Sequence, residues 1–568
     1  MTRWLRTSEK VLPVILVLVF ILMRLPATHS PYHQDEYKWV QYSHPEITLP
    51  GTVPHPPLTE FIYAGSLGPL VGDDNFRLIP LVFGLINLLL IFYLAKIIFD
   101  RKAAFWVALL FTVSFYSVLA SLMVDVDGAV MPAFFLVMCI GYFKLKRTNF
   151  QFSISNFQNW IWLALIIVGA VGGFMVKVSG ILPIFALFLD FSIEKGVFSD
   201  KKRILKYAGL GLLGLIGLVA VLFLARFVFP FFNLEYSFNY WKHFWTASSF
   251  FNRGWMQTFI QFAKAIMYTS PLLLLPVFFI DKEIWRKLRP FFFFIFIGLA
   301  FYLFAFDFSI GALDRYFQFL VVPLCIISGA VFAKIFGSKE IKLKKEDFII
   351  ISIIAISIFA LQFFNHVAPP LHPKTEWISR FFSFKWNFLF PFTGGSGPLG
   401  FYISFLFLAI LYICSIVLAI AIFIKKELKQ KVFVAILIIG LIYNFSFIEE
   451  YLFGKINGFA PKLLYDATEF IKNNPDIKAV TVYNDNGGYE IMKIGKYRRR
   501  LYTSPAFDVN QKIATLNATK DYYLEINIPR IDPNSVFRKY FDSCNIVYKQ
   551  TDRYISAIVY DCRNATNL

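Results

Sequence analysis

The sequence predicts a polytopic α-helical membrane protein that ends in a smaller α/β domain of soluble type. Three observations predict it. The composition is 57% hydrophobic and only 16% charged, with a mean hydropathy of +0.59, whereas soluble chains are about half apolar and a quarter charged. The 69 Phe residues are spread over repeated apolar runs long enough to cross a bilayer as helices. Beyond residue 448 those runs stop, and mixed helix and strand patterns replace them.

Disorder and a small disulfide scaffold are excluded by the same figures. The formal charge of +19, from 56 Lys+Arg against 37 Asp+Glu, would suggest nucleic acid in a soluble protein. Here it is better explained by basic loops retained on the cytoplasmic side of a membrane. Nucleic acid is therefore not an expected partner.

Apolar runs place spans near 11–25, 78–99, 103–122, 129–143, 161–176, 178–193, 207–230, 261–280, 291–306, 315–335, 348–364, 399–424 and 432–448. That is about thirteen crossings at roughly 17–25 residues each. Alternate loops are basic: Arg3/Arg6/Lys10, Arg101/Lys102, Lys144/Lys146/Arg147, Lys201/Lys202/Arg203, Lys282/Arg286/Lys287/Arg289, Lys342/Lys344/Lys345 and Lys425/Lys426/Lys429/Lys431. This pattern puts the N-terminus in the cytoplasm and everything after about residue 449 outside a cell membrane. The division expected is a membrane domain over 1–448, with external loops 26–77, 231–260 and 365–398, and an extracytoplasmic domain over 449–568. In that tail a helix is expected near 461–474. Strands are expected at Ala479–Tyr483, Tyr522–Ile526 and Ile555–Tyr560, and Asn486-Gly487-Gly488 supplies a turn suited to positive φ.

Cys139, Cys325 and Cys414 sit singly in apolar spans and read as packing residues. Cys544 and Cys562 flank two strand-like runs joined by a turn at Thr551–Tyr554. Folded as a hairpin, these runs set the two sulfurs nearly opposite, so a stabilising disulfide is expected there.

Polar groups collect at one rim of the expected membrane domain. Loop 26–77 carries Asp35-Glu36 among aromatic residues and the stiff segment Pro54-His55-Pro56-Pro57-Leu58. Asp125-Val126-Asp127 falls where the third span reaches the outer face, and acids there are costly unless they face water or a partner. Lys177 ends the fifth span, and Asp314-Arg315-Tyr316 opens the tenth. A lone cation at a helix end usually snorkels to the headgroups, but these two would together make an anion site. Loop 231–260, with Tyr240-Trp241-Lys242-His243-Phe244-Trp245 and Arg253, reads as an interfacial amphipathic stretch.

These residues resemble the motifs of the GT-C membrane glycosyltransferases, above all the aminoarabinose transferases and protein O-mannosyltransferases. Asp35-Glu36 after the first span resembles their signature loop, and His55-Pro56-Pro57-Leu58 their Lys/His-Pro-Pro-Leu element. Phe76–Pro80 followed by Gly84, Gly173-Phe174-Met175-Val176-Lys177, and Arg315-Tyr316 with Pro323 resemble further elements in the same order. Pro54-His55-Pro56 departs from the Glu-Lys-Pro of the aminoarabinose branch, so that branch's metal-binding Glu is missing. The tail resembles nothing nameable.

The resemblance implies transfer of a sugar from a polyprenyl-phosphate carrier to an acceptor hydroxyl on a lipid, a glycan or a protein. Inversion in one displacement needs one general base, and Asp35 is the candidate. Lys177 and Arg315 would meet the departing phosphate. Glu36, His55, Asp125, Asp127 and Tyr316 would orient the base or bind substrate. Glu36, His55 and Asp127 are also the candidates to hold a divalent metal, whose identity and necessity stay open. The alternative is a transporter or lipid flippase, which would bury ionisable residues near mid-membrane; the spans read as almost free of them.

Overall fold

The computed structural model describes residues 2–33, 35–42, 53–150, 157–247, 254–305, 313–337, 344–364, 374–392, 395–483, 486–501, 514, 516–517, 520–527 and 536–565. Arg253 and Lys342 lie outside them. The chain forms two compact units. The first comprises 1–28, 39–353 and 412–444; the second comprises 29–38, 354–411 and 445–568.

The first unit is helical. Among the described residues of the whole chain, seven helices are long and apolar enough to cross a membrane, or eight if the bent pair Thr258–Tyr268 and Pro271–Phe279 counts as one span. Lys201–Val228 shows why water is the wrong solvent for this surface: Leu213 and Phe227 on it are 65% and 71% exposed. The protein is a multi-pass membrane protein. Several expected spans are shorter or broken helices. The first is the apolar helix Val11–Ala27, and 178–193 becomes Ile181–Glu194.

The run 103–122 breaks into Arg101–Val113 and Phe115–Ala120 at Ser114, whose backbone is extended. The break leaves a helix N-terminus without an intrahelical partner. Asn444 supplies one, accepting from the Phe115 amide at 2.8 Å and donating to the Ser270 hydroxyl at 2.9 Å. Hydrophobic periodicity carries no trace of that repair, because the residue doing it lies 329 positions away.

Helix Val130–Arg147 packs closely on Phe157–Val176. A Cβ on Gly169 would come within 2.6 Å of the Phe134 carbonyl oxygen, so a small residue sets the approach, as membrane helices often require. At its other end, buried Asp190 accepts from Tyr142 at 2.5 Å, Lys146 at 2.7 Å and Arg289 at 2.5 Å. Glu194 pairs with the same two cations. Two residues of the basic loops therefore also staple three helices together. An unpaired carboxylate at this buried position would be far costlier than the paired one seen.

The second unit is built on a five-stranded sheet. We label its strands with the preceding hairpin as β1 (Leu389–Pro391), β2 (Tyr402–Ser404), β3 (Val480–Tyr483), β4 (Tyr497–Leu501), β5 (Tyr522–Asn527), β6 (Asn545–Asp552) and β7 (Ile555–Asp561). β1 and β2 form an antiparallel pair, and the sheet order is β4-β3-β5-β7-β6. β3 runs parallel to both β4 and β5, while β7 is antiparallel to β5 and β6. Helix Ala460–Asn473 covers one face through Leu463, Leu464 and Ile471, against Val480, Val482, Leu524 and Val559. Leu389 and Tyr402 of the β1–β2 hairpin join that core. Residues 354–411 thus share a compact unit with 449–568, adding to the cover that the tail's own helix provides, and 29–38 belongs to the same unit.

At the expected turn only Gly487 takes a positive φ, 93°, and its Cβ would meet Leu464 at 2.4 Å. The edge strand β4 was missed by sequence reasoning because Arg498-Arg499-Arg500 breaks its apolar pattern. Charge on an edge strand also discourages pairing with another chain.

Cys544 and Cys562 are joined in a disulfide, with Cα atoms 4.6 Å apart and a sequence separation of 18. Asn545 pairs with Asp561, and Arg553 makes the hairpin turn with φ 52°. On the chain-entropy model a loop of this length stabilises by about 3 kcal/mol. Cys544→Ser should lower the midpoint of urea unfolding of this unit accordingly; an unchanged midpoint would show that the bond carries no stability.

Candidate active site

Three separate elements of the first unit bring charged side chains to one place. The turn before helix Val130–Arg147 carries Asp125 and Asp127. The residues leading into it are held from two sides: Arg24 donates to the Ser121 hydroxyl at 2.7 Å, and Arg77 to the Leu122 carbonyl at 2.6 Å. Arg24 is fully buried, and it also donates to the Phe20 and Thr112 carbonyls and the Ser117 hydroxyl. The expected helix opening at Phe76-Arg77 therefore acts on the residues leading into the acidic turn.

Lys177 occupies an extended residue between helix Phe157–Val176 and the short turn Val178–Gly180. Its amide donates to the Gly173 carbonyl at 3.1 Å, and Gly180 packs so closely that a Cβ there would lie 2.4 Å from the same oxygen. The break directs Lys177 away from the helix it follows. Arg315 comes from the single helical turn Leu313–Tyr316.

These side chains make a quartet. Arg315 Nη1 lies 2.7 Å from Asp125 Oδ2, and its Nε lies 3.5 Å from Asp127 Oδ2. Lys177 Nζ lies 2.5 Å from Asp127 Oδ1. The Tyr316 ring faces both cations, at 4.5 Å from Lys177 and 5.2 Å from Arg315, within the range of a cation–π contact. Tyr302 stacks on Tyr316 at 5.2 Å. Asp127, Tyr302 and Tyr316 also line a cavity with Asn87, Ser121 and Gln318. Two carboxylates and two cations leave the quartet neutral overall.

Behind Arg315 lies a pair that sequence reasoning missed. Lys264 Nζ is 2.6 Å from Asp314 Oδ2 with both side chains fully buried, and Gln261 donates to Asp314 Oδ1 at 2.9 Å. Asp190 and Arg24 are likewise buried charges, near the ends of apolar runs. Single charges inside apolar runs are the available signal, and each here is paired or fully hydrogen-bonded.

His55 is half-buried and stacks on Trp39, with ring centroids 6.0 Å apart. Its segment is held by helix Leu234–Ala247, whose Trp241 donates to the Pro54 carbonyl at 2.8 Å. Thr59 ties it to the Val176 carbonyl at 3.1 Å. Burial pushes the neighbouring Glu60 carboxyl up to about 7.

Asp35 and Glu36 belong to the second unit. Glu36 is fully buried and closes a local turn, its carboxylate accepting from the His33 amide at 2.8 Å while its own amide donates to the His33 carbonyl at 2.7 Å. Asp35 is about one-third exposed, at 31%, and ion-paired to Lys38.

Among the described residues no three His, Cys, Asp or Glu side chains gather in a way that could hold a metal ion. Asp127 is paired with Lys177 and Arg315, and Glu36 accepts from the His33 amide in its own turn.

A multi-pass helical unit and an α/β unit closed by a β-hairpin define the class of protein. The fold has counterparts among solved structures. It is similar to ArnT of Cupriavidus metallidurans bound to undecaprenyl phosphate, with a TM-score of 0.55 and 12% identity over 98% of each chain. The apo state of the same protein gives a TM-score of 0.53 and 13% identity, over 98% of this chain and 99% of that one. At such identity the likeness is one of fold. Residues 54–225 match the profile of the dolichyl-phosphate-mannose-protein mannosyltransferases, a stretch that holds His55, Asp125, Asp127 and Lys177. A comparison with curated proteins gives no match.

Proposed function

We propose that the protein transfers a sugar from a polyprenyl-phosphate carrier to an acceptor hydroxyl at the outer face of a cell membrane, with inversion. The observation that carries this reading is the convergence of Lys177 and Arg315 with Asp125, Asp127 and Tyr316. Cations held by buried carboxylates are preorganised for a developing phosphate charge. The matched profile spans three of the four charged groups, and ArnT, which shares the fold, was crystallised with undecaprenyl phosphate.

The displacement balances simply. The acceptor oxygen forms a bond to the anomeric carbon and loses its proton to Asp35. The bond from that carbon to the phosphate oxygen breaks, and its electron pair leaves with the lipid phosphate. Lys177 and Arg315 then compensate the charge that appears on that oxygen.

Because the quartet is neutral, an incoming phosphate competes with Asp125 and Asp127 for the two cations. Arg315→Ala and Lys177→Ala should each weaken polyprenyl-phosphate binding and turnover, and Arg315→Lys should recover little if the contact is bidentate. Asp127→Asn should have the opposite effect on binding, tightening it by roughly three- to tenfold as a competing charge is removed. The test incubates purified protein and acceptor membranes with radiolabelled polyprenyl-phosphate hexoses and pentoses. Covalent transfer of label supports the reading. Label that crosses the bilayer still attached to its carrier would instead identify a flippase.

The orientation is read from the alternating basic loops. A cysteine replacing Ser66 should react with an impermeant thiol reagent added to intact cells, and one replacing Ser199 should not. The reverse pattern would overturn the outer-face assignment.

A further inference from the structure

We infer that the second unit is a clamp for the loop bearing Asp35, so that it positions the proposed base. The inference rests on the reading of Asp35 given above. Four contacts within the second unit carry it, and each grips the short segment 29–38 at a different point. At its start the Tyr465 hydroxyl donates to the His29 carbonyl at 2.6 Å. The buried Tyr32 ring packs edge-on against Tyr489, with centroids 5.0 Å apart. The hydroxyls of Tyr37 and Tyr497 lie 3.4 Å apart. Between them the Asp35 amide itself donates to the Gly395 carbonyl at 2.8 Å.

The partners come from separate pieces of the domain. Tyr465 lies on helix Ala460–Asn473, Tyr489 on the short helix Gly488–Lys493, Tyr497 on β4, and Gly395 between β1 and β2. Two of them depend on glycine geometry. Gly395 has φ 76°, a backbone region that residues with a Cβ adopt only with strain. Helix Gly488–Lys493 is launched by Gly487, with φ 93°. The remaining constraint is internal: the reciprocal bonds between His33 and Glu36 fix the turn on which Asp35 stands. A side chain that must meet a hydroxyl proton within hydrogen-bond reach cannot ride on a loose loop, because small misplacements cost rate steeply. Six residues of helix, Tyr37–Tyr42, would not hold such a loop alone. Tyr465, Tyr489 and Gly395 are therefore positioning residues, acting through the loop and not on substrate.

Hydrogen exchange on the full-length protein tests this, because the Asp35 amide reports its own bond to Gly395. In Gly395→Ala and in Tyr489→Leu, amides of residues 32–38 should exchange about tenfold faster, the equivalent of one lost hydrogen bond. Amides of β3 and β5 should keep their parental rates. Tyr489→Phe, which keeps the ring, should restore the parental pattern. In the transfer assay the same variants should lower kcat and leave KM for the lipid donor unchanged. Unchanged exchange at 32–38, or acceleration spread equally over β3 and β5, would overturn the clamp. Faster exchange at 32–38 with parental kcat would overturn the positioning role. The failure of the underlying reading is separate: it would show as normal turnover in Asp35→Asn, whatever the exchange rates.

Discussion

Asp35→Asn should lower sugar transfer by about 10²–10⁴-fold, the range general-base catalysis contributes. An amide matches the carboxylate in shape but cannot take a proton at neutral pH, so the loss should fall on the chemical step. The side chain is partly exposed and is ion-paired with Lys38, three residues on. An exposed pair of this kind contributes little to stability, about 0–1 kcal/mol. Expression and donor binding should therefore survive, which makes a fall in rate interpretable. Single-turnover transfer with saturating labelled donor is the measurement, and near-parental rates would remove Asp35 from the mechanism. Glu36→Gln should be milder, because an amide oxygen can still accept from the His33 amide. Glu36→Ala should be worse than Glu36→Gln, since it leaves that buried donor unsatisfied at a cost of about 1–3 kcal/mol.

The second large effect concerns stability. Lys264→Met should destabilise the helical unit by about 3–5 kcal/mol, the penalty for leaving one partner of a buried ion pair uncompensated. Asp314 would lose its ion pair and keep its hydrogen bond from Gln261. Replacing both partners, as Lys264→Met with Asp314→Leu, should recover most of the loss, since apolar substitutes of similar volume are often neutral. Thermal midpoints in detergent give the comparison. A double variant no more stable than Lys264→Met would mean that the site needs charge for a reason other than pairing. Asp314 directly precedes Arg315, so Lys264→Met should also weaken polyprenyl-phosphate binding, more than its loss of stability accounts for.

The legible part of this protein lay in local patterns. Apolar runs, basic loops and the alternation in β5 and β7 are properties of neighbouring residues, so they show in the sequence directly. So did the hairpin closed by Cys544 and Cys562, because its register follows from counting back from one turn. The charged residues of the quartet stood out as ions at the ends of apolar runs. Their mutual contacts did not, for Lys177 and Asp127 are 50 positions apart and Arg315 and Asp125 are 190 apart. Lys264, Asp190 and Arg24 were hidden for the converse reason. A single charge in an apolar run looks like an interruption until its partner is seen.

The sequence by itself determined the solvent of this chain, its two kinds of domain, and which ionisable residues stand at the ends of its helices. Each follows from composition or from periods of two to four residues, which sterics and the cost of exposing apolar surface impose locally. Only the tertiary structure decided which charges meet. It held the residues leading into the Asp125 turn with Arg24 and Arg77, buried Lys264 on Asp314, and joined residues 29–38 to a domain more than four hundred positions away. Those choices depend on desolvation. A charge removed from water must find its partner wherever the packed chain brings one, and no local pattern encodes that distance.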